Sequence, residues 1–298
     1  MTTAASPTWA AVVVNFEAGP LLAGCVRSIL ADTSGGVPEL VVVDNGSGDD
    51  SIARLRSEMP DVRVVHSPGN VGYARGVNLG TAATRAAVVA VLNADTELTP
   101  GTAAAMHTQF DDDPRIGALG PRIRDADGSD YPSARSMPSI IDAVGHGALG
   151  LFLPRNRFTR RYRQLDADPE RSRRVDWLSG AAIWLRRTAL DDVGGWDETY
   201  FMYMEDVDLC ARLRAAGWDV VYEPAGNVRH VQGVSTSRRP YRMLVEHHRS
   251  ALRFTSRRFT GWRRILLPFA ACFLAGRAVL AIAAHAARSR SRTAHTSR

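Results

Sequence analysis

The stretch ELVVVDNGSGDD, residues 39–50, joins the unbroken apolar run Leu40 to Val43 to a turn built of Asp, Asn, Gly and Ser. A short apolar run bounded by turn residues reads as a strand buried on both faces, with Asp44 at its carboxyl end. Working outward, GPLLAGCVRSIL (19–30) has helical spacing, with Leu22, Val26, Ile29 and Leu30 on one face. Before it, AAVVVNF (10–16) is a second β-branched strand. On the other side follow a helix, SIARLRSEM (51–59), and a strand, VRVVHS (62–67). A second helix, GYARGVNLGTAA (72–83), opens after a Gly-rich loop, and a fourth strand, AAVVAVLNAD (86–95), ends in polar residues. Apolar strands alternating with helices imply an α/β fold, a mostly parallel central sheet with helices on both faces. Ligands of such sheets sit beyond the carboxyl ends of the strands, where Asn15, Asp44 and Asp95 fall.

The remaining chain is less periodic. A helix is expected over 101–110, and RNRFTRRYRQLDADPERSRR (155–174) reads as an exposed, mobile loop. VDWLSGAAIWLRRTALDDVGGWDE (175–198) reads as a strand and a short helix, DVDLCARLRAAG (206–217) as a helix ended by Gly217, and WDVVYEP (218–224) as a strand. The three cysteines are far apart and form no CxxC or Cys/His spacing, which argues for a reducing compartment and against structural zinc. The apolar run Ala10 to Val14 is too short for a signal sequence, so the cytosol or the cytosolic face of a membrane is expected.

Charge divides the chain. Residues 238–298 carry 14 Arg against the single acid Glu246, a charge of +13, so the other 237 residues hold −7 of the overall +6. Ile265 to Ala284 is 20 residues long with one charge, Arg277, and Trp262 stands among the arginines before it. Length permits a spanning helix, but a central Arg costs about 2.5–3.5 kcal/mol on insertion scales. An interfacial or re-entrant helix at the membrane surface is preferred, with a helix packed on the body or on a second copy of the chain as the alternative. Nucleic acid is not expected as a partner, because the body is acidic and has no helix-turn-helix, RRM or zinc signature.

Several polar groups can carry chemistry. Asp44 can accept from the imide N–H of a pyrimidine, or simply cap its turn. Asn93 and Asp95 in LNADTEL (92–98) can face one ligand, where a hard cation bridging a diphosphate needs only one or two carboxylates, or they can start a loop. SPGNVGYARGVNLG (67–80), with Asn70, Gly72 and Asn78, offers close backbone approach and free N–H groups at a helix start. In FMYMEDVDLC (201–210) the acids Glu205, Asp206 and Asp208 favour a helix N-terminus. The apolar residues before them would also make a carboxylate a better base. His230 is a structural histidine or a ligand of metal or diphosphate. Neither GxGxxG nor a P-loop occurs.

Taken in order, VVVDNGSGD, GNVGYARGVNLG, VLNADTEL, WLSGAAIWLRR, GGWDETYFMYMEDVDLCARLRAAGW and RHVQGVS resemble the inverting family-2 glycosyltransferases of GT-A fold, in their rhamnosyltransferase group, over about residues 10–236. The resemblance implies a GT-A domain over 1–236, with 10–98 taking the nucleotide and 99–236 the acceptor, followed by a basic helical membrane tail over 237–298. It implies a dTDP-sugar donor, dTDP-rhamnose, and a polyprenyl-diphosphate-linked N-acetylglucosamine acceptor in cell-wall arabinogalactan-linker synthesis. A nucleotide sugar of galactofuranose or N-acetylglucosamine is the alternative donor. It further implies that Asp206 is the general base beside Glu205. Asn15, Asp44, Asn70, Gly72, Asn78, Asn93 and Asp95 would bind the donor. Trp177, Ser179 and Gly180 would line the acceptor side. Asp95 and His230 would serve a divalent cation, Mg²⁺ or Mn²⁺. Many relatives have Asp-x-Asp where this chain has Asn93-Ala94-Asp95, which leaves one carboxylate at that motif.

Overall fold

The computed structural model describes residues 9–137, 139–150, 153, 155–231 and 240–296. The first hundred residues fold as β1 (Trp9–Asn15), α1 (Leu21–Ala31), β2 (Glu39–Asp44), α2 (Ser51–Glu58), β3 (Arg63–His66), α3 (Tyr73–Ala82), β4 (Val88–Asn93) and β5 (Thr96–Leu98). Then come α4 (Thr102–Asp112), β6 (Ile116–Asp125), β7 (Asp130–Tyr131), β8 (Ala134–Arg135), α5 (Ile140–Leu149), α6 (Arg157–Tyr162), β9 (Arg173–Arg174) and β10 (Trp177–Leu178). The chain continues with β11 (Ala182–Arg186), α7 (Arg187–Asp192), α8 (Glu205–Ala215), β12 (Asp219–His230), α9 (Pro240–Arg258) and α10 (Leu267–Thr296).

The central sheet runs β3-β2-β1-β4-β11-β6-β12-β5. Its first four strands are parallel, as the alternation requires. The second half is mixed: β11 is antiparallel to both β4 and β6, β12 is parallel to β6, and β5 is antiparallel to β12. The mostly parallel expectation holds, with the antiparallel β11 and β5 entering beyond β4. β8 and β10 form a separate antiparallel pair.

Each face of the sheet has its own core. On one, Leu22, Val26 and Ile29 of α1 and Met106 and Phe110 of α4 pack on Trp9, Leu92 and Trp184. On the other, Val77 of α3, Leu190 of α7 and Leu213 of α8 pack on Val12, Val43 and Ile183. Burying each such side chain contributes about 1.5–3 kcal/mol. Leu30, assigned by spacing to the buried face of α1, is 40% exposed. Gly80 brings α3 against the sheet, because a Cβ there would lie 2.3 Å from Val12 Cγ1.

Residues 155–174 are ordered rather than loose. Asn156 caps α6 by accepting from the Phe158 and Thr159 N–H groups. Arg160 pairs with Asp166, Glu170 pairs with Arg122, and Arg173 lies over Tyr222. The expected boundary at 236/237 lies outside the described residues. Beyond it, α9 and α10 form an antiparallel hairpin, with Tyr241 against His285 and His248 against Arg277. Arg277 also donates to Gly147 O of α5, so the lone charge of the apolar run turns inward. Within Gly261–Ala286 an 18-residue window has a mean hydropathy of 2.2 and is only 6% buried, enough by length and composition to cross a membrane. All three cysteines are free: Cys25 and Cys210 are buried, and Cys272 is exposed on α10.

Candidate active site

Strand register builds the first wall. Asn15 pairs with Asp44 and Asp44 with His66, which sets all three in a row at the carboxyl edge. Asn15 Nδ2 donates to Ser47 Oγ at 3.0 Å and Ser51 Oγ at 2.9 Å, holding the turn after β2. Asp44 Oδ1 accepts from Ser47 N at 3.1 Å, and Asp44 Oδ2 lies 3.1 Å from His66 Nδ1. Arg56 Nη2 approaches the other ring nitrogen of His66 at 3.2 Å. An arginine donor there fixes Nε2 as the acceptor and leaves Nδ1–H to donate to Asp44.

The Gly-rich loop is fastened to this edge and to the far half. Asn45 Nδ2 donates to Gly72 O at 3.1 Å, and Asn70 Oδ1 accepts from Gly72 N at 3.2 Å. Gly72 has φ +93°, and a Cβ on it would lie 2.6 Å from Phe201 O. Tyr73 N donates to that same oxygen at 2.8 Å, and Tyr73 Oη donates to Gly180 O at 2.7 Å.

Opposite stands the acidic helix start. Asp206 Oδ2 accepts from Gly180 N at 3.0 Å and Oδ1 from Val207 N at 2.8 Å. Glu205 is 6% exposed and its Oε2 has no partner. Burial raises both carboxyls above the usual range, and the neighbouring Asp206 raises Glu205 further. For Asp206 the two N–H groups and the Arg135 charge act in the opposite sense. Asp208 is spent on structure, accepting from Arg212 Nε at 2.7 Å, while Arg212 also donates to Val193 O and Gly195 O. The two residues before the helix, Tyr203 (φ 68°) and Met204 (φ 69°), are left-handed without being glycine. Such conformations cost of order 1–3 kcal/mol each and persist only when the surroundings hold them. Here the Asp208 N–H to Met204 O bond, the Tyr203–His247 ring contact and the Ser250 Oγ–H to Met202 O bond hold them. Two of these three come from α9.

A cavity of about 390 Å³ lies between these walls. It brings together Asn70, Gly72, Asn93 and Asp95 with Trp177, Ser179 and Gly180, and places Glu205, Asp206 and His230 on the same lining. Asn15 and Asp44 are outside that lining, on the ledge at the ends of β1 and β2. Asn78 is also outside it: Asn78 Nδ2 donates to Trp196 O at 2.9 Å and its Oδ1 accepts from Trp196 N at 3.0 Å, which pins the GGWD turn.

Asp95 Oδ1 stands 3.2 Å from His230 Nε2, and His230 Nδ1 is buried without a partner. Among the described residues no third His, Cys or acid joins them in a cluster able to hold a metal. One carboxylate and one imidazole facing a cavity still fit a hard cation whose other ligands are diphosphate oxygens and water.

Sequence reasoning missed several lining groups. Arg135 sits among Trp177, Tyr131 and Tyr162, with its guanidinium 4.8, 5.4 and 5.9 Å from the ring centres. Two-residue strands, β8 and β10, position this cluster, too short to leave a periodic signal. Arg242, Met243 and His247 of α9 complete the lining, so a helix assigned to the tail is part of the cavity wall.

Comparison with known proteins follows the same lines. The family described as Glycosyltransferase like family 2 matches residues 7–253. The N-acetylglucosaminyl-diphospho-decaprenol L-rhamnosyltransferase of Mycobacterium tuberculosis (strain ATCC 25618 / H37Rv) is 43% identical over 264 residues, 85% of either chain. Among solved structures, GalNAc-T7 with UDP, GalNAc and Mn²⁺ superposes with a TM-score of 0.59 at 15% identity, over 85% of this chain and 48% of that one. The mannosyltransferase PcManGT of Pyrobaculum calidifontis, in complex with GDP-Man and Mn²⁺, gives 0.51 at 18% identity, over 98% and 80%. At such identities these two speak for the GT-A fold alone.

Proposed function

The chain belongs to glycosyltransferase family 2, and from that premise we propose that it transfers L-rhamnose, with inversion, from dTDP-rhamnose to a polyprenyl-diphosphate-linked N-acetylglucosamine in cell-wall arabinogalactan-linker synthesis. The observation that carries this reading is the 43% identity to the mycobacterial rhamnosyltransferase, sustained over 85% of both chains.

In the mechanism, Asp206 is the base. Its two oxygens are aimed by the Gly180 and Val207 N–H groups, leaving lone pairs toward the cavity. As the acceptor hydroxyl oxygen bonds to the anomeric carbon, its proton passes to Asp206 and the bond from that carbon to the dTDP oxygen breaks. No covalent intermediate with the protein is formed. Two backbone N–H groups donate to Asp206 while Glu205 Oε2 has no partner, so Asp206 is the member of the pair better held as a carboxylate. Tyr203 and Met204 keep water from the anomeric carbon.

Asp44, held by Ser47 N–H and His66, accepts from the thymine imide, with Asn15 bracing the turn beneath it. Asn70 and Gly72 approach the donor from the Gly-rich loop, and Trp177 and Ser179 border the acceptor. Asp95 and His230, with Asn93 beside them, would hold Mg²⁺ or Mn²⁺, which offsets the charge gathering on the leaving diphosphate. The hairpin of α9 and α10 docks at the cytoplasmic face of the membrane, where the acceptor's lipid resides. Its arginines add about 1 kcal/mol each near an anionic leaflet.

The test is a donor screen with a short polyprenyl-diphosphate-N-acetylglucosamine acceptor. Release of dTDP from dTDP-rhamnose is expected. Turnover of a UDP-sugar and none of dTDP-rhamnose would overturn the assignment.

A further inference from the structure

Three arginines on the acceptor side form no ion pair among the described residues, although Asp206 acts on Arg135 at longer range. Arg135 donates to neutral oxygens, Pro132 O at 2.7 Å, Tyr131 Oη at 2.8 Å and the Tyr162 hydroxyl, while three aromatic rings fix its position. Arg242 reaches the same cavity from α9, with its guanidinium 4.9 Å from the Phe201 ring centre. Arg163 stands behind Tyr162, half-buried, and its Nε is buried without a partner. Among the described residues none of the three lies within ion-pair distance of a carboxylate. Elsewhere the body does pair its arginines, as Arg122 with Asp130 and Glu170, or Arg212 with Asp208. Burial, and after it the Arg135 charge, hold Arg163 below its ordinary range.

The surroundings say what kind of anion belongs there. Tyr162 connects this cluster to α5, its ring 5.0 Å from that of His146. α5 packs on α10 at Gly147, where a Cβ would lie 2.9 Å from Phe273. The outer sides of the two helices leave Ile141, Val144 and Phe269 exposed. Unpaired positive charge thus lies between the carboxylate pair and an exposed apolar platform. An anionic group carried on an apolar chain, with its sugar toward Asp206, matches that order of surfaces. The donor's diphosphate has its own place at Asp95 and His230.

We propose that Arg135 and Arg242, with Arg163 adding positive potential behind them, bind the diphosphate of the lipid-linked acceptor. The proposal rests on the lipid-diphosphate acceptor named above. It adds the residues that select a diphosphate-bearing acceptor over a neutral glycoside.

The test uses the full chain and two acceptors, a short prenyl-diphosphate-N-acetylglucosamine and octyl N-acetylglucosaminide, which has no phosphate. Arg242→Gln, a change at an exposed position, should raise KM for the first acceptor about 10-fold or more, the scale of one lost charge-assisted contact. The effect on the octyl glycoside should be at least fivefold smaller, and KM for dTDP-rhamnose should stay within about twofold. Arg135→Gln should raise KM for the prenyl-diphosphate acceptor more strongly, and through Asp206 it should also lower the rate on both acceptors. Equal losses on both acceptors in Arg242→Gln, or a raised donor KM, would overturn the proposal. So would a defect confined to flotation with anionic vesicles, which would assign the arginines to the membrane surface.

A binding arm separates this proposal from the functional reading. Geranyl diphosphate, followed by tryptophan fluorescence in saturating dTDP, should bind the unmutated chain and bind Arg242→Gln about 10-fold more weakly. Binding without rhamnosyl turnover would sink the functional reading and leave the anion site standing. Failure of geranyl diphosphate to bind would sink the site.

Discussion

Replacing Asp206 by Asn tests the assignment of the base with two separable readouts. The loss of proton acceptance should lower the transfer rate about 10²–10⁴-fold. The substitution also has a structural cost that the site geometry predicts. Both carboxylate oxygens accept backbone N–H groups, from Gly180 at 3.0 Å and Val207 at 2.8 Å. An amide offers one oxygen, so its NH₂ must face one of these donors. A buried donor without an acceptor costs about 1–3 kcal/mol. For a chain of 298 residues the unfolding entropy is about 0.6 kcal/mol per kelvin, so the melting temperature should fall by about 2–5 °C. Donor binding, on the other wall, should change little. Rates come from dTDP release, donor affinity from calorimetric titration with dTDP-rhamnose, and melting from scanning calorimetry. A rate within tenfold of the unmutated enzyme, or a tenfold loss of donor affinity, would refute the assignment of Asp206 as base.

Other expectations follow from neighbouring residues. Glu205 has its carboxyl raised by burial and by Asp206, so the folded state holds a proton that the unfolded chain releases near 4.5. The native state is thus favoured below that value and loses this advantage as pH rises through the raised one. Glu205→Gln should therefore gain in melting temperature relative to the parent between about pH 5 and about pH 9, and a difference independent of pH would count against the buried acid. Gly72→Ala forces a Cβ to 2.6 Å from Phe201 O at φ +93° and should destabilise by about 1–3 kcal/mol while raising KM for both substrates; unchanged kinetics would mean that the loop does not couple the two walls. Asp95→Ala should weaken activation by Mg²⁺ or Mn²⁺, and full activity of the unmutated chain in strong chelator would remove the ion-bridging role.

Much of the first hundred residues was legible because the signals there are local. The runs Leu40 to Val43 and Val88 to Leu92 are strands in the fold, buried but for the half-buried Leu40, and each ends where a polar ligand group was expected. Strand direction is not written in such runs, which is why the antiparallel β11 departs from the parallel expectation. The ordering of 155–174 depends on pairs between distant residues, Arg122 with Glu170 and Arg173 with Tyr222, and composition alone reads that stretch as loose. Asn78 looked like part of an anion loop because of its spacing, and its bonds to Trp196 come from chain 118 residues away. Arg135 and the α9 wall share this character: contacts far apart in sequence made them lining residues. The acidic helix start was read in part correctly, since Asp208 does serve the helix through Arg212.

The three free cysteines have a practical consequence. Burial pushes the Cys25 and Cys210 thiols up to about 12, so neither is a thiolate at neutral pH. Cys272, exposed on the apolar tail helix, is then the one thiol open to a maleimide. A polarity-sensitive dye attached there, with no engineering of the chain, would report whether that helix meets water, lipid or protein at each stage of turnover.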